Sequence, residues 1–411
     1  MERRRVVVTG MGVATPLGST VDALVAGLRA GATGVRYVPE WERITDLKGR
    51  LAALVPDLDL RERYPRKKRR TMGRVALLAV YATEQALEQS GLASEFVTSG
   101  RVGIAYGSTS GSMEAMEEMC VPLFTSYTLR GLDSTSYLRF MTHTCAANLG
   151  QYFGVRGRIL PTCSACTSAS QGIGYGYESI RAGAADAMIC GGSEEMHYAV
   201  AATFDLLMAT SVGFNGRASE SPRPFDRRRD GLVVGEGAGT LILEGLDHAQ
   251  ARGATILAEV AGFGTNCDGM HLTAPSRAGM RGAMELALRD AGLGPDAIDY
   301  VNAHATGTDV GDVEESHATF ELFDRAVPIS SLKGQLGHTL GACGAIESAA
   351  CLRMMHDGFL AASHNLDELD PRCAPLGYVR ETAAASPRTI MKNNFAFGGV
   401  NTSLIFRRYE P

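Results

Sequence analysis

Short runs of β-branched and small residues alternate with longer stretches of helical periodicity along almost the whole chain, and this alternation runs through twice. In the first series, Val6-Val7-Val8 ends in Gly10-Met11-Gly12 and is followed by the amphipathic stretch "VDALVAGLRAG". "RVALLAVYATEQALEQSGL" then reads as a helix closed by Gly91, "RVGIAYGS" as a strand, "ASQGIGYGYESIRAG" as a helix and "ADAMICGGSEE" as a strand entering a glycine turn. A second series begins near Thr255. "ATILAEVAGFGTN" is a strand, "GMRGAMELALRDAGL" a helix, "IDYVNAHATGT" a strand ending in a polar loop, "GACGAIESAACLRMMHDG" a helix, and "TIMKNNFAFGGVNTSLIFRR" the closing strands. This pattern predicts α/β layers. Two successive halves of similar make-up, 1–254 and 255–411, imply a duplication, although no residue-level repeat is visible. They should share one interface, with a site in the crevice at the strand ends.

The chain of 411 residues is 45% hydrophobic, enough to bury a large core, and its formal net charge of −5 gives no general attraction to nucleic acid. The start "MERRRVVVTGMGV" reads as a strand opening a domain rather than a signal peptide. No uninterrupted apolar run reaches the ~18 residues of a membrane span. The chain is expected to be soluble and cytoplasmic. Nine cysteines are scattered through apolar surroundings, which fits reduced, mostly buried thiols better than a disulfide framework.

Only Cys163 and Cys166, in "PTCSACTSASQGIGYG", have two-residue spacing. They could be a redox dithiol, half of a zinc site, or one nucleophile and a bystander. A structural zinc would want a second pair or nearby histidines at short spacing, and neither occurs. Cys166 stands where a strand should turn into a helix whose first turn is Thr167, Ser168, Ala169 and Ser170. Free amides there would face the sulfur and favour the thiolate, against the roughly 3% of an unperturbed thiol at neutral pH. Cys163, on the strand side, lacks that position.

Downstream, "VNAHATGTDVGDVEE" places His304 between an apolar strand and a Gly/Thr loop with Thr306 and Thr308, well placed to face a cleft. "SSLKGQLGHTLGACGAIESAA" supplies Lys333 and His338 ahead of a helix whose small residues let it lie close to another backbone. In "NNFAFGGVNTSLIF", Gly398 and Gly399 follow Phe397, and paired glycines permit backbone approach to a ligand.

These segments, with "VVVTGMGVATPLG", "SPRPFDRRRDGLVVGEGAG" and "GFGTNCDGMHLTAP", occur in an order and spacing that resembles the β-ketoacyl-acyl-carrier-protein synthases, the elongating condensing enzymes of the thiolase superfamily, over essentially the whole chain. The resemblance implies a thiolase-like α/β fold, with duplicated halves in five layers (αβαβα). It implies Cys166 as the acyl-accepting nucleophile, His304 and His338 as the catalytic histidines, and Lys333 as the active-site lysine. It makes Phe397 a gate whose backbone N–H joins that of Cys166 in an oxyanion hole. Thr306 and Thr308, with His271 and Thr273, would line the substrate region beside Gly398 and Gly399, and Glu315 would lie near the lysine. The reaction implied is decarboxylative condensation of a malonyl thioester with an acyl chain on Cys166, with no metal and no cofactor beyond the phosphopantetheine arm of acyl carrier protein. Cys163 has no catalytic counterpart.

The same resemblance implies an obligate dimer, a homodimer or a heterodimer with a chain-length-factor-like homologue, with "MTHTCAANLGQYFGVRGRILPT" at the pairing region. Neither nucleic acid nor membrane is an expected partner. The basic run "RYPRKKRRTMGR", with Lys67, Lys68, Arg69 and Arg70, reads as solvated helix ends, as a nucleic-acid patch, or as a dock for an acidic carrier protein. The resemblance favours the dock. A non-catalytic partner subunit would lack Cys166, and a thiolase acting on coenzyme A esters would carry a second cysteine where this chain has "NNFAFGGVN". "TCSA" ahead of the nucleophile, and Met208 where many relatives have arginine, bring in specialised aryl-polyene and polyketide synthases beside those of fatty acid synthesis.

Overall fold

The computed structural model describes residues 4–56 and 58–410. Ten strands and six helices carry the architecture, five strands and three helices in each series. The first series comprises β1 (Val6–Ala14), α1 (Arg74–Ser90), β2 (Val102–Gly107), α2 (Thr144–Phe153), β3 (Ile159–Thr162), α3 (Ser168–Arg181), β4 (Ala187–Glu194) and β5 (Gly237–Gly245). The second comprises β6 (Ala258–Cys267), α4 (Arg277–Ala291), β7 (Tyr300–Asn302), α5 (Gly311–Phe323), β8 (Pro328–Ser330), α6 (Cys343–Asp357), β9 (Thr389–Ala396) and β10 (Val400–Arg407).

The duplication expected from the alternation is present in the topology. The strand order is β3-β2-β4-β5-β1 in the first series and β8-β7-β9-β10-β6 in the second. In both, the third, second and fourth strands are parallel, and the fifth runs antiparallel to both its neighbours. The two sets join edge to edge where Val6–Val8 of β1 pair antiparallel with Ala258–Val260 of β6, so the strands form one continuous mixed sheet.

Helices sort into layers by what they touch. α1 and α2 cover the outer face of the first set, α4 covers that of the second with α5 packed on α4, and α3 and α6 lie between the sets against strands of both. Every residue of β1, β2, β4 and β5 is buried, as expected of strands covered on both faces, which is why they read as continuous apolar or small-residue runs. Three apolar clusters fill the spaces between layers. The central one joins Ile173, Tyr177 and Ile180 of α3 to Ile346, Ala349 and Leu352 of α6. Equivalent outer helices end alike, α1 on Gly91 (φ 63°) and α4 on Gly292 (φ 65°), the left-handed conformation that a helix C-terminus uses to pair its last carbonyls. Among the described residues, no helix is long and apolar enough to cross a membrane.

The central helices meet at their first turns. A Cβ added at Gly344 would stand 2.3 Å from Ser170 Oγ and 2.7 Å from Ser170 N. Gly344→Val should therefore force α3 and α6 apart and lower stability by about 1–3 kcal/mol. Urea unfolding followed by circular dichroism measures this, and a wild-type midpoint would refute it.

Candidate active site

All the catalytic candidates leave the carboxyl ends of parallel strands. Cys166 follows β3, His304 follows β7, Lys333 and His338 follow β8, and Phe397 follows β9. Cys166 sits in a 3₁₀ turn, Ala165–Thr167, that runs straight into α3. The matching turn of the second series, Leu340–Ala342, runs into α6. Each turn holds a non-glycine residue in the left-handed region, Ala165 at φ 49° and Leu340 at φ 46°. Such a conformation costs on the order of 1–3 kcal/mol and persists where surrounding structure imposes it. Here the Ser164 N–H donates to Ser168 Oγ (3.0 Å), and that hydroxyl donates to the Ala165 carbonyl (2.7 Å).

The result is convergence. Cys166 Sγ lies 3.0 Å from His338 Nε2. The His304 and His338 rings meet edge-on, with centroids 5.1 Å apart. One donor atom from each of the three residues falls within 4.8 Å of the others, close enough to act on one substrate carbonyl. They open onto a cavity of about 550 Å³ that Thr306, Thr308, Thr273 and Phe397 also line.

Burial controls protonation here. It pushes the Cys166 thiol well above its ordinary value, against the pull of Lys333. Burial also holds His304 well below the usual imidazole range, helped by Lys333, His338 and Lys392, and holds His338 there with help from Lys333 and Lys392. Both directions favour a neutral thiol beside a neutral imidazole. The start of α3 favours the thiolate, as its position implies, but burial opposes it and is the larger effect. A helix dipole contributes roughly 0.3–2 kcal/mol, whereas burying an uncompensated ion costs several.

Glu315 lies near the active-site lysine, as expected, but the lysine's hydrogen-bond partner is another carboxylate. Lys333 Nζ donates to Glu347 Oε1 at 2.6 Å, both groups buried. Glu315 instead accepts the backbone N–H groups of His304 (2.8 Å) and Ala305 (2.6 Å), fixing the loop that carries the histidine. Burial raises the Glu315 carboxyl to about 7, opposed by those two N–H groups. Glu194 behaves similarly: it accepts from Thr109 and Gly341 N–H, and burial lifts it to about 7.

Phe397 is half-buried, its ring 5.8 Å from that of Phe204. Gly398 (φ 86°) and Gly399 (φ 70°) complete the turn after it, and the Gly398 N–H donates to the Leu272 carbonyl (2.7 Å). His271 does not line the cavity. It is exposed, and its Nδ1 accepts the backbone N–H groups of Thr273 (3.1 Å) and Ala274 (3.0 Å), so it shapes the loop rather than meeting substrate. Cys163 is exposed and its thiol donates to the Thr109 carbonyl (3.2 Å), so the two sulfurs of the opening motif have separate partners. Lys67, Arg69 and Arg70 border a separate groove of about 1340 Å³ that also contains Glu114, Glu118 and Asp133, while Lys68 lies over the Tyr152 ring at 4.7 Å.

Sequence reading missed Glu347, Lys392 and Asn394. Glu347 and Lys392 form an ion pair at 2.6 Å, and Asn394 Nδ2 reaches His304 Nδ1 at 3.3 Å. The available signal was three polar residues, "KNN", interrupting an otherwise apolar closing strand.

A duplicated five-layer α/β fold with cysteine and two histidines meeting at the strand ends defines a thiolase-like condensing enzyme. Sequence models of the beta-ketoacyl synthase N-terminal and C-terminal domains match residues 3–249 and 257–367. The 3-oxoacyl-[acyl-carrier-protein] synthase 2 of Vibrio cholerae is 37% identical over 417 residues, covering 99% of this chain and 100% of that protein. The crystal structure of a beta-ketoacyl synthase from Burkholderia phymatum superposes with a TM-score of 0.96 at 51% identity, over 99% of this chain and 100% of the other. The ishigamide ketosynthase/chain length factor gives 0.92 at 33%, with the same coverage. The chain belongs to the beta-ketoacyl synthase family and is a condensing acyltransferase.

A neutral resting pair has a kinetic signature. Alkylation of Cys166 by iodoacetamide should rise steadily with pH from 6 to beyond 9, because only the thiolate reacts. A plateau between pH 5 and 8 would instead reveal a thiolate–imidazolium pair.

Proposed function

We propose that this chain extends carrier-bound acyl chains by decarboxylative condensation with malonyl-acyl carrier protein. The observation that carries the reading is the 3.0 Å contact between Cys166 and His338 with His304 beside it in one cavity. In the first step, Cys166 sulfur attacks the acyl thioester. Its proton passes to His338 and on to the departing phosphopantetheine sulfur, leaving the acyl group on Cys166. Backbone N–H groups of Cys166 and Phe397 receive the oxyanion.

In the second step, malonyl thioester loses carbon dioxide and the electron pair of the broken C–C bond becomes an enolate. Neutral His304 and His338 donate to its oxygen, a task that depressed imidazole basicity suits. The enolate carbon then attacks the Cys166 thioester, the C–S bond breaks, and a proton from solvent restores the thiol. This chemistry uses neither metal nor redox cofactor. Thr306 and Thr308, whose hydroxyls lie 3.2 Å apart on the cavity wall, would hold the pantetheine arm, with Thr273 opposite.

A growing chain rather than a short starter suits a gate made of Phe397 on two left-handed glycines. The likeness extends both to 3-oxoacyl-[acyl-carrier-protein] synthases and to a ketosynthase/chain length factor, so the proposed reaction is the condensation that fatty acid and polyene or polyketide synthesis share. Pairing with a second ketosynthase-like chain, identical or homologous, is supported by β3 at the sheet edge with Ile159 exposed.

Cys166→Ala should abolish acylation by acyl-carrier thioester, read as intact-protein mass, while Cys163→Ser preserves it. His304→Ala or His338→Ala should slow carbon dioxide release from malonyl carrier by about 10²–10³. Unchanged release in both histidine variants would remove the enolate-stabilising role.

The basic groove is proposed as the carrier dock, since acyl carrier proteins are acidic. Charge reversal at Lys67, Lys68, Arg69 and Arg70 should raise KM for carrier protein and leave turnover at saturation unchanged, with wild-type efficiency falling as salt is added. Equal kinetics at low salt would return these residues to ordinary solvated surface.

A further inference from the structure

Lys392 takes no part in the steps above, yet it is one of the largest fully buried side chains of the protein. It lies on β9, whose end carries Phe397. Its Nζ is 2.6 Å from Glu347 Oε2 and donates to the Asn393 carbonyl (2.6 Å) and to Asn394 Oδ1 (2.9 Å). Asn394 Oδ1 also accepts from Ser170 Oγ (2.5 Å), at the first turn of the nucleophile's helix. The amide nitrogen of the same side chain faces His304 Nδ1 (3.3 Å) and Cys343 Sγ (3.2 Å).

The charge count is unbalanced. Glu347 alone faces two buried ammonium groups, Lys333 on Oε1 and Lys392 on Oε2, each at 2.6 Å. Lys333 and Glu347 by themselves would be neutral, so Lys392 is a second cation on one carboxylate, beyond the part-ionised Glu315 near Lys333. An uncompensated buried charge is costly, and a core serving packing alone would be better filled by an apolar side chain.

We propose that Lys392 is a positioning residue of the condensing site, which through Asn394 orients His304 and through Glu347 sets a second buried cation behind the histidines to stabilise the enolate. This rests on the condensation reading above and extends it to a residue outside the cysteine-histidine-histidine set.

The groups facing the two histidines are Cys166 from its turn, Lys333 from the segment after β8, Glu347 and Cys343 on α6, Glu315 on α5, Glu194 on β4 and Lys392 on β9. Burial pushes both imidazoles down, and Lys392 pushes in the same direction. Removing its charge therefore raises both imidazole values. Activity that needs neutral histidine is lost as pH falls through the imidazole value, so the acid limb of the variant moves toward neutrality.

The test uses the full chain with Lys392→Met and Lys392→Gln, the latter keeping a hydrogen-bond donor without the charge. Carbon dioxide release from malonyl carrier is measured from pH 5 to 8, with Cys166 acylation read by mass. Compared with wild type, both variants should lose more activity at pH 5 to 5.5 than at pH 8, as their acid limb moves up toward neutrality. Cys166 acylation at pH 8 should stay within about threefold. An unchanged acid limb in both variants, with activity scaled equally at every pH, overturns the proposal, as does failure of both to fold, which would make Lys392 a stability residue. If wild type releases no carbon dioxide, the condensation reading fails instead, and imidazole titration by ¹⁵N NMR in the same variants still reads the Lys392 effect.

Discussion

The close contact of α3 and α6 between the two sets of strands is the constraint on which the site depends. Helices that must both start at the same point in the middle of the molecule cannot carry ordinary side chains there. Gly344 lies against Ser170, and Gly192 of β4 leaves room for the Gly341 carbonyl and for Ala169. With that bulk removed, two equivalent 3₁₀ turns come together, and Cys166 in one meets His338, which lies just ahead of the other. The bond-forming pair is thus a product of pseudo-twofold packing, and each half supplies one member.

Burial then decides the chemistry. Desolvation outweighs the start of α3 and keeps Cys166 a thiol, and it keeps both imidazoles neutral. A neutral resting chamber avoids carrying a naked thiolate into a dry interior, and charge develops only as bonds change. Lys333, Glu347 and Lys392 lie behind the histidines as fixed, hydrogen-bonded charges that need little reorganisation when a negative substrate arrives. Opposing effects meet in Glu347 itself. Burial works to raise its carboxyl, but the two lysines outweigh burial and hold it below the usual carboxylate range.

Much of this was legible in the chain. The alternation of strand and helix patterns survives as two sets of five strands, because strands covered on both faces must be apolar throughout. Cys166, His304 and His338 were legible because each stands where an element gives way to a small-residue turn. Identical strand orders in the two halves were not, since topology can persist after residue identity has gone. Glu347 sits in "AIESAA" and Lys392 in "TIMKNN", and each looks like an ordinary surface charge until folding buries them against each other. His271 was misplaced for a related reason. Its motif position is right for the cavity wall, but its ring is used by the N–H groups of Thr273 and Ala274. The pull of the helix start on Cys166 was legible from spacing, whereas the desolvation that opposes it was not.

The central claim is that this site works with neutral histidines held so by burial and by buried lysines. The most direct measurement is ¹⁵N NMR of histidine-labelled wild-type protein from pH 5.5 to 8.5, with His304 and His338 assigned through their alanine variants. The account predicts neutral-imidazole shifts for both residues across that whole range. Titration of either one with a midpoint near 6.5 would contradict it.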